Sequence, residues 1–183
     1  MYPIVAPDIN VLLAMAALDR QIAEDVKQRG CPLCEGSLHQ ATWQRQPRGV
    51  QDDLPASCTT RWGLCCGQCR RRVLPDSVLF CGRHVYLKAV MLLVVAARQR
   101  QLSPTSMGKL KELFDVSAKT IRRWIAVFLD RLPEAPTWKR RRGRISPRVR
   151  DVEVPAALLD WLLEIHADAD QALVQAATLV PGL

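Results

Sequence analysis

The sequence predicts a mainly α-helical fold with a small β ribbon and a pair of short helices joined by a tight turn. Three observations predict it. Apolar residues recur at helical spacing over most of the chain, two Cys-x-x-Cys pairs sit among short strand-like runs, and a turn at residues 115–117 separates two helical patterns.

Residues 8–28 read as the first helix. Asp8 follows Pro7 and can cap it, and Val11, Leu12, Met15, Leu18, Ile22 and Val26 form one apolar face. Gly30 is placed to end it, because glycine enters the left-handed region at low cost. Leu38 to Arg45, Arg61 to Cys66 and Arg71 to Leu74 read as strands. Gln46 to Thr60, with two Pro, one Gly and two Asp, reads as a loop. His84 to Gln99 predicts a buried helix with Tyr86, Val90, Leu93, Val94 and Ala97 on its apolar side. Ser103-Pro104 marks the start of a helix to about Phe114, and a second helix runs from Ala118 to about Leu132. Pro155 to Ile165 and Asp168 to Leu179 read as two final helices.

The 183 residues carry a net charge of +8, and the charge is segregated. All 26 Lys and Arg lie in residues 1–150 beside 12 acids, giving +14, whereas the last 33 residues hold six acids and no Lys or Arg, giving −6. A basic body suits a polyanion, because Lys and Arg release the counterions condensed on nucleic acid. No stretch of eighteen apolar residues exists. The longest, Val85 to Ala97, is interrupted by Lys88. With no signal peptide in view, the expected compartment is reducing cytoplasm, where clustered Cys read as metal ligands before disulfides. No Ser-His-Asp set, Gly-rich phosphate loop or open metal site is present, so an enzyme is not expected.

Cys31-Pro-Leu-Cys34 and Cys66-Gly-Gln-Cys69 point two thiolate pairs at one ion. Four soft ligands in a tetrahedron suit structural Zn²⁺, and such a site has no open position for catalysis. Cys65 could take the place of Cys66 with a Cys-x-x-x-Cys spacing, and Cys81 and His84 form a further Cys-x-x-His pair. Cys58, Cys65 and Cys81 otherwise read as small buried residues, His39 as a strand residue and His166 as solvated.

The stretch from Leu110 to Phe128 reads as a helix-turn-helix. Leu110, Leu113 and Phe114 pack the first helix, Val116 plugs the turn, and Ile121, Trp124, Ile125 and Phe128 line the second. Ser117 caps that second helix, leaving Lys119, Thr120, Arg122 and Arg123 towards solvent, where a recognition helix meets the major groove. Two positions depart from the usual pattern: Lys111 stands where a small residue lets the helices cross, and Asp115 where Gly is common. The run from Lys139 to Arg150 holds seven basic residues in twelve, among them Arg140, Arg141, Arg142 and Arg144, and reads as a nucleic-acid-contacting arm anchored by Trp138.

Cys31 through Arg72, GRHVYL at 82–87 and VSAKTIRRW at 116–124 resemble bacterial mobile-element proteins in which a zinc ribbon precedes a helix-turn-helix, as in insertion-sequence transposases and their stand-alone relatives. The resemblance implies Cys31, Cys34, Cys66 and Cys69 as zinc ligands and Ser117, Lys119, Thr120 and Arg123 as DNA contacts. A transposase also needs a nuclease domain, for which the chain after Arg150 is too short. The expected function is therefore DNA binding, by an accessory factor or regulator. The alternative is a zinc-ribbon docking module for a protein partner. The expected divisions are an N-terminal helix (1–29), a zinc ribbon (30–82), a helix-turn-helix domain (83–133), a basic arm (134–152) and acidic C-terminal helices (153–183). Leu158, Leu159, Trp161, Leu162 and Ile165 form an apolar set that must either pack on the chain or join a second copy.

Overall fold

The chain begins with helix α1 (Ile9–Arg29) in a computed structural model that describes residues 1–50, 53–81, 85–101 and 103–182, without the side chains of Ser106, Met107 and Leu110. Two expectations lie partly outside these residues: the role of His84, as helix start or partner of Cys81, and the packing of Leu110. The caps of α1 are as the sequence predicts. The Asp8 carboxylate accepts from the Asn10 N–H at 2.7 Å, and Gly30 closes the helix at φ 79°.

Five short strands follow: β1 (Leu38–Gln40), β2 (Trp43–Gln44), β3 (Thr60–Arg61), β4 (Leu64–Cys66) and β5 (Arg72–Val73). They form two antiparallel sheets, β1-β4-β5 and β2-β3. Each of the first two expected strands is therefore divided, 38–45 into β1 and β2 and 61–66 into β3 and β4. At the second break Gly63 sits so close to the Ala41 carbonyl that an added Cβ would stand 2.9 Å from it. The loop expected from 46 to 60 contains one helical turn, α2 (Ala56–Thr59).

The centre of the molecule is α3 (Lys88–Gln99), which is buried from Lys88 through Ala97 with no solvent side. A helix apolar all round belongs in a core. It is covered by α4 (Pro104–Leu113), α5 (Ala118–Ala126), α7 (Ala156–His166) and α8 (Ala169–Leu179), while α1 packs on α8. The helix expected from 118 to 132 continues past α5 as a π-helical turn, Val127–Arg131. Leu158, Leu159 and Leu162 are buried against this core with Trp161 partly buried beside them, so most of the C-terminal apolar set packs back on its own chain, while Ile165 stays exposed.

Residues 136–142 are helical, forming α6 (Pro136–Arg142), and are followed by a 3₁₀ turn at Asp151–Glu153. The segment read as an arm is thus folded. Trp138 is 1% exposed and pins it to the core, as its place before the basic run suggests.

Lys88 interrupts an apolar run and is itself buried. Its ammonium donates to three carbonyls, Ser77 at 2.5 Å, Ala177 at 2.9 Å and Val180 at 2.8 Å. Three donors require the charged form. Burial pushes its pKa down to about 8, with Cys81 and Asp19 opposing. Beside it the buried Asp19 carboxylate accepts from the Ser77 hydroxyl and from the Val78 N–H at 2.5 Å. Lys88→Met keeps the stem but strands three buried carbonyls. It is expected to cost on the order of 3 kcal/mol in urea unfolding. An unchanged midpoint would mean that those carbonyls need no ammonium.

Candidate metal centre and basic helices

Each Cys-x-x-Cys pair folds into the same backbone knuckle. The Glu35 N–H donates to Cys31 O at 2.8 Å, and the Arg70 N–H donates to Cys66 O at 3.2 Å. The Cys31 N–H reaches Gly36 O and the Cys66 N–H reaches Arg71 O, both at 2.9 Å. The residue after each second Cys is left-handed, Glu35 at φ 59° and Arg70 at φ 61°. β1 and β4 bring the knuckles together through the Leu38–Cys66 register, and the Gly67 N–H donates to Ser37 O at 3.0 Å. At Gly67 φ is not positive, and the absent side chain makes room for the His39 ring: a Cβ would lie 2.9 Å from Nε2.

The four sulfurs of Cys31, Cys34, Cys66 and Cys69 all lie within 4.8 Å of one another. Cys31 Sγ stands 3.7 Å from Cys69 Sγ, and Cys34 Sγ stands 3.5 Å from Cys66 Sγ. Four thiolates at about 2.3 Å from one tetrahedral ion would stand about 3.8 Å apart, so the donor set fits a thiophilic metal. The knuckle amides favour thiolates. Those of Leu33 and Cys34 hold Cys31 below its ordinary value, and those of Cys69 and Gln68 hold Cys66 at about 6. The Arg71 N–H also pulls Cys69 down, but burial and its three sulfur neighbours push it to about 12. Without a metal, four sulfurs this close therefore cannot all ionise.

Cys65 is excluded from the cluster by strand alternation. It pairs with Arg72 across β4–β5, and its thiol faces the Arg70 and Cys66 carbonyls. The core beneath the site is small: Cys31, Leu38, Leu64 and Cys66, with Val26 and Val73 against them.

The turn between α4 and α5 is set by Asp115, left-handed at φ 44°, with the Val116 N–H donating to Lys111 O at 3.1 Å. That bond satisfies a carbonyl at the helix end. Tyr86 holds the turn from below, donating to Asp115 O at 3.1 Å and meeting Trp124 edge-on at 4.9 Å. Ser117 caps α5 by accepting from the Thr120 N–H at 3.2 Å, and the two hydroxyls lie 3.0 Å apart. Ile121 and Trp124 are buried, while Lys119, Arg122 and Arg123 are exposed. A recess of about 220 Å³ opens beside them, lined by Arg98, Lys111 and Arg122 over Ala118, Ile121 and Ile125.

The second predicted basic group is divided. Arg141 donates to Thr178 O and pairs with Asp76 at 3.0 Å. Arg142 donates to the carbonyls of Ile145, Ser146 and Val149 and pairs with Asp151 at 2.9 Å. These two arginines are structural. Lys139 pairs with Glu134 at 2.7 Å, and Arg140 reaches the Thr137 hydroxyl at 3.3 Å. Arg144 stays exposed. Asp160 pairs with Arg100 at 2.5 Å and accepts from the Tyr2 N–H.

Arg142→Ala is expected to cost about 1–3 kcal/mol, because it leaves three carbonyls without their donor. Arg144→Ala should change stability by no more than about 0.5 kcal/mol. Equally small losses in thermal unfolding would mean that Arg142 does not hold the segment in place. For the cysteines, Cys66→Ser should abolish metal uptake and Cys65→Ser should retain it, as read by metal-to-chain stoichiometry. The reverse pattern would move the ligand to Cys65. The chain matches no protein-family model, no curated protein and no solved structure, so the metal assignment rests on the sulfur geometry.

Proposed function

We propose that the chain is a DNA-binding protein, not an enzyme, in which a structural Zn²⁺ on Cys31, Cys34, Cys66 and Cys69 folds the ribbon and α5 enters the major groove of duplex DNA. One observation carries the reading. α5 is fixed to the core through Ile121 and Trp124, and it turns Lys119, Arg122 and Arg123 outward, with no ion pair to any of them among the described residues. Cations left uncompensated on a rigid, capped helix suit a polyanion.

In this reading α4, Asp115 and α5 act as a helix-turn-helix. Arg123 and Arg122 reach base edges, where a guanidinium can meet guanine bidentately, and Lys119 and Thr120 hold phosphates. Ser117 contributes mainly as the cap, since its hydroxyl is already engaged with Thr120. Lys139, Arg140 and Arg144 supply further phosphate contacts, while Arg141 and Arg142 only hold α6 in place. The recess beside α5 suits a phosphate, drawn by Arg98, Lys111 and Arg122. Zinc is the metal that best matches four thiolates in a closed tetrahedron, and its role is to fold strands of two or three residues that cannot stand alone. The mobile-element resemblance fits a factor that binds an element end or a promoter. No helix among the described residues is long and apolar enough to cross a membrane, and we place the protein in the cytoplasm at the nucleoid.

Affinity for duplex DNA should fall steeply with added salt, as several released counterions require. Arg123→Ala should relax sequence preference and cost about 1–3 kcal/mol on a selected site. Lys139→Ala should weaken all sequences alike. Absence of a gel shift at low salt would sink the proposal, and equal sequence-blind losses would remove α5 from the groove. Elemental analysis should find about one zinc per chain.

A further inference from the structure

We propose that the ribbon carries a second nucleic-acid site, a groove in which an unpaired base of a DNA strand stacks on Trp43 while its phosphate meets Arg72. The proposal goes beyond duplex binding by α5 and uses different residues.

The groove lies between the two small sheets and encloses about 440 Å³. Its walls include Trp43, Arg45, Gly63, Arg72, Val73 and Leu74, with no acid among the described residues that line it. Trp43 leads β2 and is 39% exposed, although Trp124 and Trp138 are buried. The indole is nevertheless held in place. Gly63 lies directly against it, so that a Cβ there would stand 2.6 Å from ring carbon Cζ3. On another side the Arg45 guanidinium lies 5.9 Å from the ring centroid. An aromatic ring fixed this way, yet open to solvent, is a preorganised stacking platform, and every base offers it a π-face.

Charge selects the ligand. Arg72 follows Arg70 and Arg71 out of the second knuckle. All three are exposed, and none makes an ion pair among the described residues. The metal knuckle fixes their backbone: the Arg71 carbonyl accepts the Cys66 N–H, and Arg72 is held in register opposite Cys65. Leu74, 47% exposed at the groove edge, adds apolar surface that a base can cover. A fixed indole, a guanidinium near its ring and an arginine run without ion pairs among the described residues together match a nucleotide, with a planar base and an anionic backbone.

The test uses the full metal-loaded chain and a labelled oligothymidylate of about 15 nucleotides, which stays single-stranded. Anisotropy should show salt-sensitive binding. Trp43→Ala should weaken it about tenfold, as expected for the loss of one stacked base, and Trp43→Phe should recover most of that loss. Arg123→Ala should leave it unchanged while damaging duplex binding, so failure of the α5 reading and failure of this one are separable. Ultraviolet crosslinking should join the strand to the peptide containing Trp43. The proposal is overturned if the wild-type chain ignores the strand at low salt, or if Trp43→Ala binds it normally with its metal in place. It is also overturned if crosslinks fall only on α5. Equal competition by free thymidine monophosphate would assign the groove to a mononucleotide and overturn the strand reading.

Discussion

The Lys88 ammonium ties together three parts of the chain's path. Ser77 belongs to the segment that leaves the ribbon, Lys88 itself opens the core helix, and Ala177 and Val180 end the last helix. An ammonium removed from water survives only if each of its protons finds an acceptor. Here three backbone carbonyls, which no side-chain substitution can remove, supply that need. The segment that supplies the Ser77 carbonyl is fixed in turn by Asp19, which gathers the Ser77 hydroxyl and the N–H groups of Val78 and Leu79. The exit of the ribbon, the start of α3 and the end of α8 are therefore one polar junction inside an apolar core.

That junction separates two sources of stability. The helices share an extended buried cluster that runs from Tyr2 to Val180. The ribbon's own cluster has four buried side chains, two of them cysteines of the site, and its strands are two or three residues long. So little apolar burial cannot offset the entropy of ordering the knuckles, and in the proposed reading a bound metal would fill that gap. Placing the ribbon's exit on a rigid core would give such a module a fixed base. It also lets the two basic surfaces, α5 and the arginines of the second knuckle, be ordered by different means.

Local rules made much of this legible. Asp8 and Gly30 mark both ends of α1, Ser117 marks the start of α5, and the four cysteines come together as their spacing implies. Asp115 takes the left-handed conformation that a turn residue there requires. What remained hidden depends on partners far along the chain. Lys139 to Arg150 reads as a nucleic-acid-contacting arm because periodicity cannot show that Arg142 caps carbonyls at 145, 146 and 149, or that Asp76 waits for Arg141. Two strands are shorter than their sequence pattern suggests because the close approach of Gly63 to Trp43 and Ala41 is a tertiary contact. Lys88 did leave a trace, as the one charge inside the longest apolar run. A lysine that interrupts a core helix at its first residue has to find carbonyls, and those carbonyls lie some ninety residues away.

The charge pattern changes meaning once folded. The acidic C-terminal segment looks like a counterweight to the basic body, yet its carboxylates are used locally. Asp151 pairs with Arg142, Glu153 with Arg150 and Asp160 with Arg100, and Asp168 caps α8. None of these acids pairs with Lys119, Arg122, Arg123 or the arginines at 70–72. The acids neutralise cations that hold the fold together and leave uncompensated those that stand outside it. A distant polyanion responds to the exposed, unpaired charge and not to the formal sum, because tight pairs act as dipoles whose field falls off within about a Debye length. The +8 of the whole chain therefore understates how basic α5 and the second knuckle are to a nucleic acid.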